Sequence, residues 1–335
     1  MPSTKEIEEA LSRVLVPGIG RSLTQLNMIR AIDVASDKLK VTLASTAIDS
    51  ANQDSVRARA RDVLEKLHEI KEVDVEFVEA KPQELNQIGH VLAIMSGKGG
   101  VGKSLVTGLL AIGLNRKGYE VGVLDADITG PSIPKMFGIT TRPGGNDTGI
   151  LTVQARSGIE IMSINLFLPH EDDAVIWRGP LIGKAIQQFW QDVVWGKLDY
   201  LLVDLPPGTA DVPLTVMQSL PVSGVVIAFT PQDLAAMVVR KAVNMAQKMD
   251  IPILGMVENM SYLVLPETGK KLEIFGRSKG EEMSKAAGAP LLGQIPIDPE
   301  IARLCDQGDI ERYDSDVVNG LAQALLQNMP SRQGE

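Results

Sequence analysis

The stretch VLAIMSGKGGVGKS, residues 91–104, constrains the fold of this chain more than any other segment. Five apolar residues run through a single serine into glycines, and the sequence after Ser104 (LVTGLLAIGL) suits a helix. Gly97-x4-Gly102-Lys103-Ser104 fits the phosphate-loop pattern, which works where a buried strand passes through a tight turn into a helix N-terminus. The glycines of the turn (Gly97, Gly99, Gly100 and Gly102, with Val101 between them) let backbone N–H groups point inward, and the helix N-terminus favours negative charge. Lys103 is placed to reach the β and γ phosphates of a nucleotide, and the Ser104 hydroxyl to bind Mg2+. A second lysine, Lys98, lies inside the same loop and needs its own explanation.

From Val91 onward the chain alternates short apolar runs with helical stretches. The runs are 91–95, 121–124, 159–164, 200–203, 224–229, 253–257 and 291–295. Runs of this length, bounded by Gly, Pro or Asp, suit strands buried on both faces, and the alternation with helices predicts a doubly wound, mostly parallel α/β sheet. Ligands on such sheets bind at the carboxyl ends of the strands, so the polar residues that follow each run are the candidates for function.

Residues 1–80 have a different rhythm. Ile7, Leu11 and Val14 share helical spacing; 26–34 and 39–45 read as a strand pair turning at Ser36-Asp37. Val56, Ala60, Val63, Leu64 and Leu67 form one helix face, and VDVEFV (73–78) alternates as a closing strand. This predicts a small α+β domain of order helix, strand, strand, helix, strand. The polar stretch 81–90, which contains Pro82, reads as a linker to a domain spanning 91–335.

The chain has 335 residues with 44% hydrophobic and 22% charged, the balance of a globular protein. Its formal charge of −9 is distributed without a Lys/Arg cluster, which argues against nucleic acid and against an anionic membrane surface as partners. The longest apolar runs are too short to span a bilayer, and the polar start after Met1 points to a cytoplasmic protein. Cys305 is the only cysteine. With His68, His90 and His170 scattered, one chain supplies no set of thiolate or imidazole ligands for a metal.

A lysine directly after the first glycine of the loop resembles the deviant Walker A motif of the nitrogenase iron protein and of the MinD, ParA and Mrp/ApbC ATPases. The resemblance implies ATP and Mg2+ as ligands, a homodimer, and a Lys98 that crosses the dimer interface to the phosphates held by the partner subunit. There it would neutralise charge on the transferring phosphoryl group, as an arginine finger does. By the same resemblance Asp127, in VLDADITGPS, positions the attacking water. Asp204, in YLLVDLPPGTAD, holds Mg2+ through water; Gly208 offers its N–H to the γ-phosphate. Asn259, in VENMS, reads the adenine edge, and Pro296, in IPIDP, closes the other side of the base. Leu105 stands where the family usually has threonine, so the implied hydroxyl contact to the α-phosphate is missing.

WRGP (177–180), WGKLDYLLVDLPPGTADV (195–212), TPQDLAAMVVRKAVNMAQK (230–248) and VENMSY (257–262) narrow the likeness to the Mrp/ApbC branch, ATP-dependent iron–sulfur cluster carriers. Residues 1–80 resemble the small domain related to iron–sulfur assembly factors that is fused before many of them. The branch implies iron–sulfur assembly or apo-client proteins as partners, and a cluster bridged by a Cys-x-x-Cys from each subunit. Here Leu265 and Thr268 occupy the cysteine positions, and neither replaces a thiolate. Two alternatives follow: a MinD- or ParA-like positioning ATPase, or a nucleotide-gated scaffold without a cluster. The tail 317–335 has helical apolar spacing but a single base, Arg332, which argues against the first.

Overall fold

A computed structural model describes residues 2–68, 70–127, 130, 132–167, 179–209, 211–232 and 235–330. Trp177, Arg178, His170 and Arg332, singled out in the sequence, lie outside the described residues.

The chain divides into two compact units: one of residues 1–88, 142–154 and 188–198, the other of residues 89–141, 155–187 and 199–335. The N-terminal part of the first has the expected order: α1 (Thr4–Leu11), β1 (Ile29–Ala35), β2 (Lys38–Ala44), α2 (Ser50–Leu64) and β3 (Glu72–Val78). Strand β1 pairs antiparallel with β2, and β2 pairs in parallel with β3. Ser3 opens α1 with a capping box closed by Glu6, and Asp49 caps α2 through the Asn52 N–H. Ile7, Leu11, Val41, Leu43, Val56, Ala60, Leu64 and Val75 form the core.

Two expectations about this region need correction. The stretch 81–90 is not an open linker. It holds a helical turn, α3 (Pro82–Leu85), and the start of β4 (Gln87–Met95). Proline reads as a breaker along a sequence, but at the first position of a helix its missing N–H costs nothing. The first unit also recruits chain from beyond residue 91: Leu151 and Val194 join its core. Asn86 explains part of this, because its Oδ1 accepts from the N–H groups of Trp195 (2.7 Å) and Gly196 (3.1 Å) while its Nδ2 donates to Val193 O (2.9 Å). Arg21 donates to Trp195 O at 2.8 Å, and the Ala47 N–H donates to Thr148 Oγ1 at 2.8 Å. Gly196 sits at φ +69° with its Cβ position 2.2 Å from Gln25 O, so no other residue fits there.

The second unit is the α/β domain. All seven apolar runs are strands: β4, β5 (Val121–Asp125), β6 (Glu160–Ser163), β7 (Lys197–Asp204), β8 (Gly224–Phe229), β9 (Ile253–Glu258) and β10 (Leu291–Gln294). They lie side by side in the order β10-β9-β8-β4-β7-β5-β6. The ladders β10·β9, β9·β8, β8·β4, β7·β5 and β5·β6 are all parallel. Helix α4 (Lys103–Arg116) follows β4 and is buried on nearly every side, with Val106, Leu109, Leu110, Ile112 and Leu114 in the core. Further helices are α5 (Gly179–Asp192), α6 (Asp211–Ser219), α7 (Ala235–Lys248), α8 (Gly280–Ala287), α9 (Pro299–Gln307) and α10 (Asp316–Gln327). The apolar face of α10 (Val318, Leu321, Ala322, Leu325) is buried in the fold. No described helix is long and apolar enough to cross a membrane.

Candidate functional site

Strand β4 ends at Met95, and residues 96–102 turn the chain into α4, which starts at Lys103. Gly102, the residue before the helix, sits in the left-handed region at φ +76°. A Cβ there would lie 2.1 Å from Asn259 Nδ2, so the loop closes only around glycine. The adjacency of β4 and β7 brings Asp204 to the mouth of this loop, and the β7·β5 register places Asp204 directly opposite Asp125.

Two neighbouring buried carboxylates repel, and the structure meets them with one ammonium. Lys103 Nζ lies 2.8 Å from Asp204 Oδ1 and 3.6 Å from Asp127 Oδ2, with all three side chains buried. The closer contact is a charge contact without hydrogen-bond alignment. The Ser104 hydroxyl donates to Asp204 Oδ2 at 2.5 Å. Asp125 accepts from the Asp127 N–H at 3.2 Å and from Ser163 Oγ at 3.2 Å. Burial, then the neighbouring Asp204 carboxylate, raises the Asp125 carboxyl well above the ordinary carboxylate range, with Lys103 opposing. The folded chain thus keeps a proton that the unfolded chain has released. The contribution of this group to stability declines as pH rises from the ordinary carboxylate range toward the raised value.

Sequence reasoning missed Thr107. Its hydroxyl, fully buried in α4, lies 2.8 Å from Asp204 Oδ1 and 3.1 Å from Lys103 O, with a single proton to give. A threonine amid Val106, Gly108 and Leu109 reads as core filler. The available signal was its spacing, four residues after Lys103 and therefore on the same helix face. Thr107→Val keeps the shape and removes the donor to a buried carboxylate. It is expected to lower stability by about 1–3 kcal/mol in urea unfolding, with Thr107→Ser recovering most of the loss. A valine variant as stable as the parent would mean that the hydroxyl does nothing for Asp204.

The other candidate residues are distributed as follows. Gly97, Lys98, Gly99, Gly100, Val101, Gly102, Lys103 and Ser104 form the loop and helix start, and Leu105 is half-buried one residue further on. Lys98 Nζ donates to Gln232 Oε1 at 2.6 Å within the same chain. The Gly208 N–H, expected to face a phosphate, donates instead to Ser96 O at 3.0 Å. The Asn259 amide, expected to face a base, is buried and donates through Nδ2 to Val101 O at 2.8 Å. Gly102 makes that contact possible by leaving space beside the amide. Pro296 lies just beyond β10, in a segment where the Ile297 N–H donates to Tyr262 O at 2.7 Å. Leu265 and Thr268 form the turn of a hairpin in which Leu263–Val264 pairs with Lys271–Leu272. Cys305, in α9, is half-buried, and burial pushes its thiol up to about 11.

Residues 87–329 match the family described as ParA, the NUBPL iron-transfer P-loop NTPases. Residues 4–77 match one described as an iron–sulfur cluster assembly protein. An iron–sulfur cluster carrier protein of Aquifex aeolicus is 36% identical over 364 residues, spanning 98% of this chain and 99% of that protein. Among solved structures, a nucleotide-binding protein of Archaeoglobus fulgidus in complex with ADP aligns with a TM-score of 0.64 at 42% identity, covering 74% of this chain and 95% of its own. The cell division ATPase MinD of Pyrococcus furiosus aligns with a TM-score of 0.52 at 21% identity, covering 71% and 99%, a likeness of fold.

Proposed function

The chain belongs to the ParA family of P-loop NTPases, the group described as iron-transfer NTPases, and from that premise we propose that it is a MgATP-hydrolysing homodimer serving iron–sulfur cluster assembly or transfer. The observation that carries this reading is the convergence of Lys103, Ser104, Asp127 and Asp204 at the mouth of the glycine loop. The full-length similarity to a cluster carrier protein favours it over a MinD-like positioning role, for which only fold-level likeness speaks.

The donor set suits MgATP. Ser104 hydroxyl and Asp204 carboxylate are hard oxygen donors of the kind Mg2+ prefers. Even with Asp125 holding a proton, Asp127 and Asp204 outnumber the one ammonium beside them, so the site has room for further positive charge. Ser104 would hold the ion directly and Asp204 through water, and Mg2+ when bound neutralises phosphate oxygens. Lys103 exchanges its carboxylate contacts for the β and γ phosphates. Asp127 orients the water that attacks the γ-phosphorus. The Gly208 N–H serves the γ-phosphate after releasing Ser96 O. Asn259 keeps Oδ1 and a second N–H to offer a purine edge, with Pro296 on the other side of the base.

A [4Fe–4S] cluster is cargo in this reading, and the donor set of this chain does not fit it. Such a cluster takes about four thiolates. Leu265 has no ligand atom, Thr268 has a neutral hydroxyl, and Cys305 stays protonated near neutral pH. The partner protein supplies the thiolates. The test is anaerobic reconstitution with iron and sulfide followed by gel filtration, alongside ATP turnover with and without Mg2+. The expected result is Mg2+-dependent turnover and no cluster absorption in the protein peak. A stoichiometric cluster that survives filtration would overturn the assignment of the ligands to a partner; absence of turnover would overturn the ATPase reading.

A further inference from the structure

Glu258 is the last residue of β9 and is completely buried, yet neither its charge nor its position belongs to the phosphate site. Its carboxylate collects four donors. Oε2 accepts from Ser261 Oγ (2.6 Å), Ser278 Oγ (2.7 Å) and Gln294 Nε2 (2.8 Å), and Oε1 accepts from the Lys279 N–H (2.7 Å). The Ser278 hydroxyl is saturated in turn, because it also accepts from Gln294 Nε2 (2.6 Å) and from the Gly280 N–H that begins α8. A buried carboxylate so fully satisfied is rigid, and losing any one donor leaves it short.

Three of the four donors fall at the two ends of one excursion of the chain, and the fourth, Gln294, comes from β10. Ser261 precedes the hairpin arm 262–277 and Ser278 follows it, so one carboxylate ties the entry and exit of the arm together. The arm exposes Val264, Leu272, Ile274 and Phe275. The residue after Glu258 is Asn259, whose amide holds Val101 O in the phosphate loop. Successive side chains at a strand end point in opposite directions, and here one reaches the arm and the other reaches the loop. The backbone between them is braced on both sides: the Asn259 N–H donates to Phe229 O (2.8 Å), the Ile295 N–H to Glu258 O (2.9 Å) and the Ser261 N–H to Ile295 O (2.9 Å). Met260 is held at φ +55°, a conformation non-glycine residues adopt only when their surroundings impose it.

We propose that Glu258 is a positioning residue that couples the arm 262–277 to the nucleotide loop, so that the bound nucleotide sets the order of the arm through Val101, Asn259 and Glu258. This rests on the assignment of 97–104 as a nucleotide site. Filling the loop fixes the Val101 carbonyl, which fixes the Asn259 amide and the strand end that carries Glu258. The donors at 261, 278 and 279 then hold the two ends of the arm in one orientation. Glu258→Gln replaces an acceptor oxygen with an NH2 group that faces donors, which breaks the clamp while keeping the volume.

The experiment is hydrogen–deuterium exchange of peptides covering 263–276, with and without MgADP, paired with calorimetric titration of ADP. In the parent protein MgADP is expected to slow exchange of the arm about fivefold or more, the lower end of ordinary coupling between sites. In Glu258→Gln the arm exchanges at one rate regardless of ADP, while ADP still binds, its affinity lower by no more than the coupling factor that the parent shows. The exposed-carboxylate control Glu267→Gln keeps the full response. If Glu258→Gln does not fold by circular dichroism, Ser278→Ala decides: removing one of the four donors should shrink the response at least about twofold. Failure of ADP to bind the parent overturns the nucleotide assignment. ADP binding with an unresponsive arm, or an undiminished response in the variant that decides the test, overturns the coupling alone.

Discussion

Replacing Lys103 with alanine is expected to abolish tight ATP binding and, separately, to destabilise the ligand-free protein. Two charge-assisted contacts to phosphate, at about 1.5–3 kcal/mol each, amount to a loss on the order of 10²–10⁴ in affinity. The second effect comes from the ligand-free geometry, in which the Lys103 ammonium lies 2.8 Å from one carboxylate and 3.6 Å from another. Taking one partner out of a buried ion pair costs about 3–5 kcal/mol, because the charge left behind has no compensation. Neighbouring Asp125 softens that penalty, since its raised carboxyl range already lets it hold a proton. Calorimetric titration with ATP reads the first effect and thermal unfolding the second. Unchanged affinity would remove the nucleotide from this loop. Lost affinity with unchanged stability would show that the carboxylates do not depend on the lysine.

What the sequence showed and hid follows from the range of the interactions involved. Every apolar run from Val91 onward became a strand, because a strand buried on both faces has no alternative to continuous Val, Ile and Leu. The loop was legible for a similar reason: its glycines, lysine and serine are adjacent in the chain. The partners of Asp204 are not. Ser104 and Thr107 meet it across 100 and 97 residues, and only the strand order β4-β7 brings them together. Thr107 has no local feature that separates it from a core threonine. Glu258 did carry a signal, since an acid ending the run ILGMV must find donors if it is buried, but its donors at 261, 278, 279 and 294 have no sequence pattern. The two later segments that join the first unit, 142–154 and 188–198, left no mark in the sequence, because Asn86 and Arg21 bond to chain more than a hundred residues away.

Lys98→Ala is expected to lower ATP turnover about 10³-fold or more, the scale of a charge supplied to the transferring phosphoryl group, with ATP affinity changed less than about tenfold. Among the described residues the partner of Lys98 is the neutral amide oxygen of Gln232. An ammonium on an exposed amide gives up little when it moves to a phosphate, whereas the Lys103 ammonium leaves carboxylates. The two lysines of one loop therefore differ in what they are free to do, and a phosphate bound by a second copy of the chain is the partner proposed for Lys98. Mixing Lys98→Ala with Asp127→Ala subunits tests the crossing. If the lysine acts across the dimer, each mixed dimer has one site with both lesions and one intact. Random exchange makes about half of the dimers mixed, so about a quarter of the parent turnover returns. If it acts within its own chain, every site in the mixed dimer has one lesion and nothing returns. Absence of recovery, with mixed dimers confirmed by native mass spectrometry, would end the role in trans and leave Lys98 as a residue of its own loop.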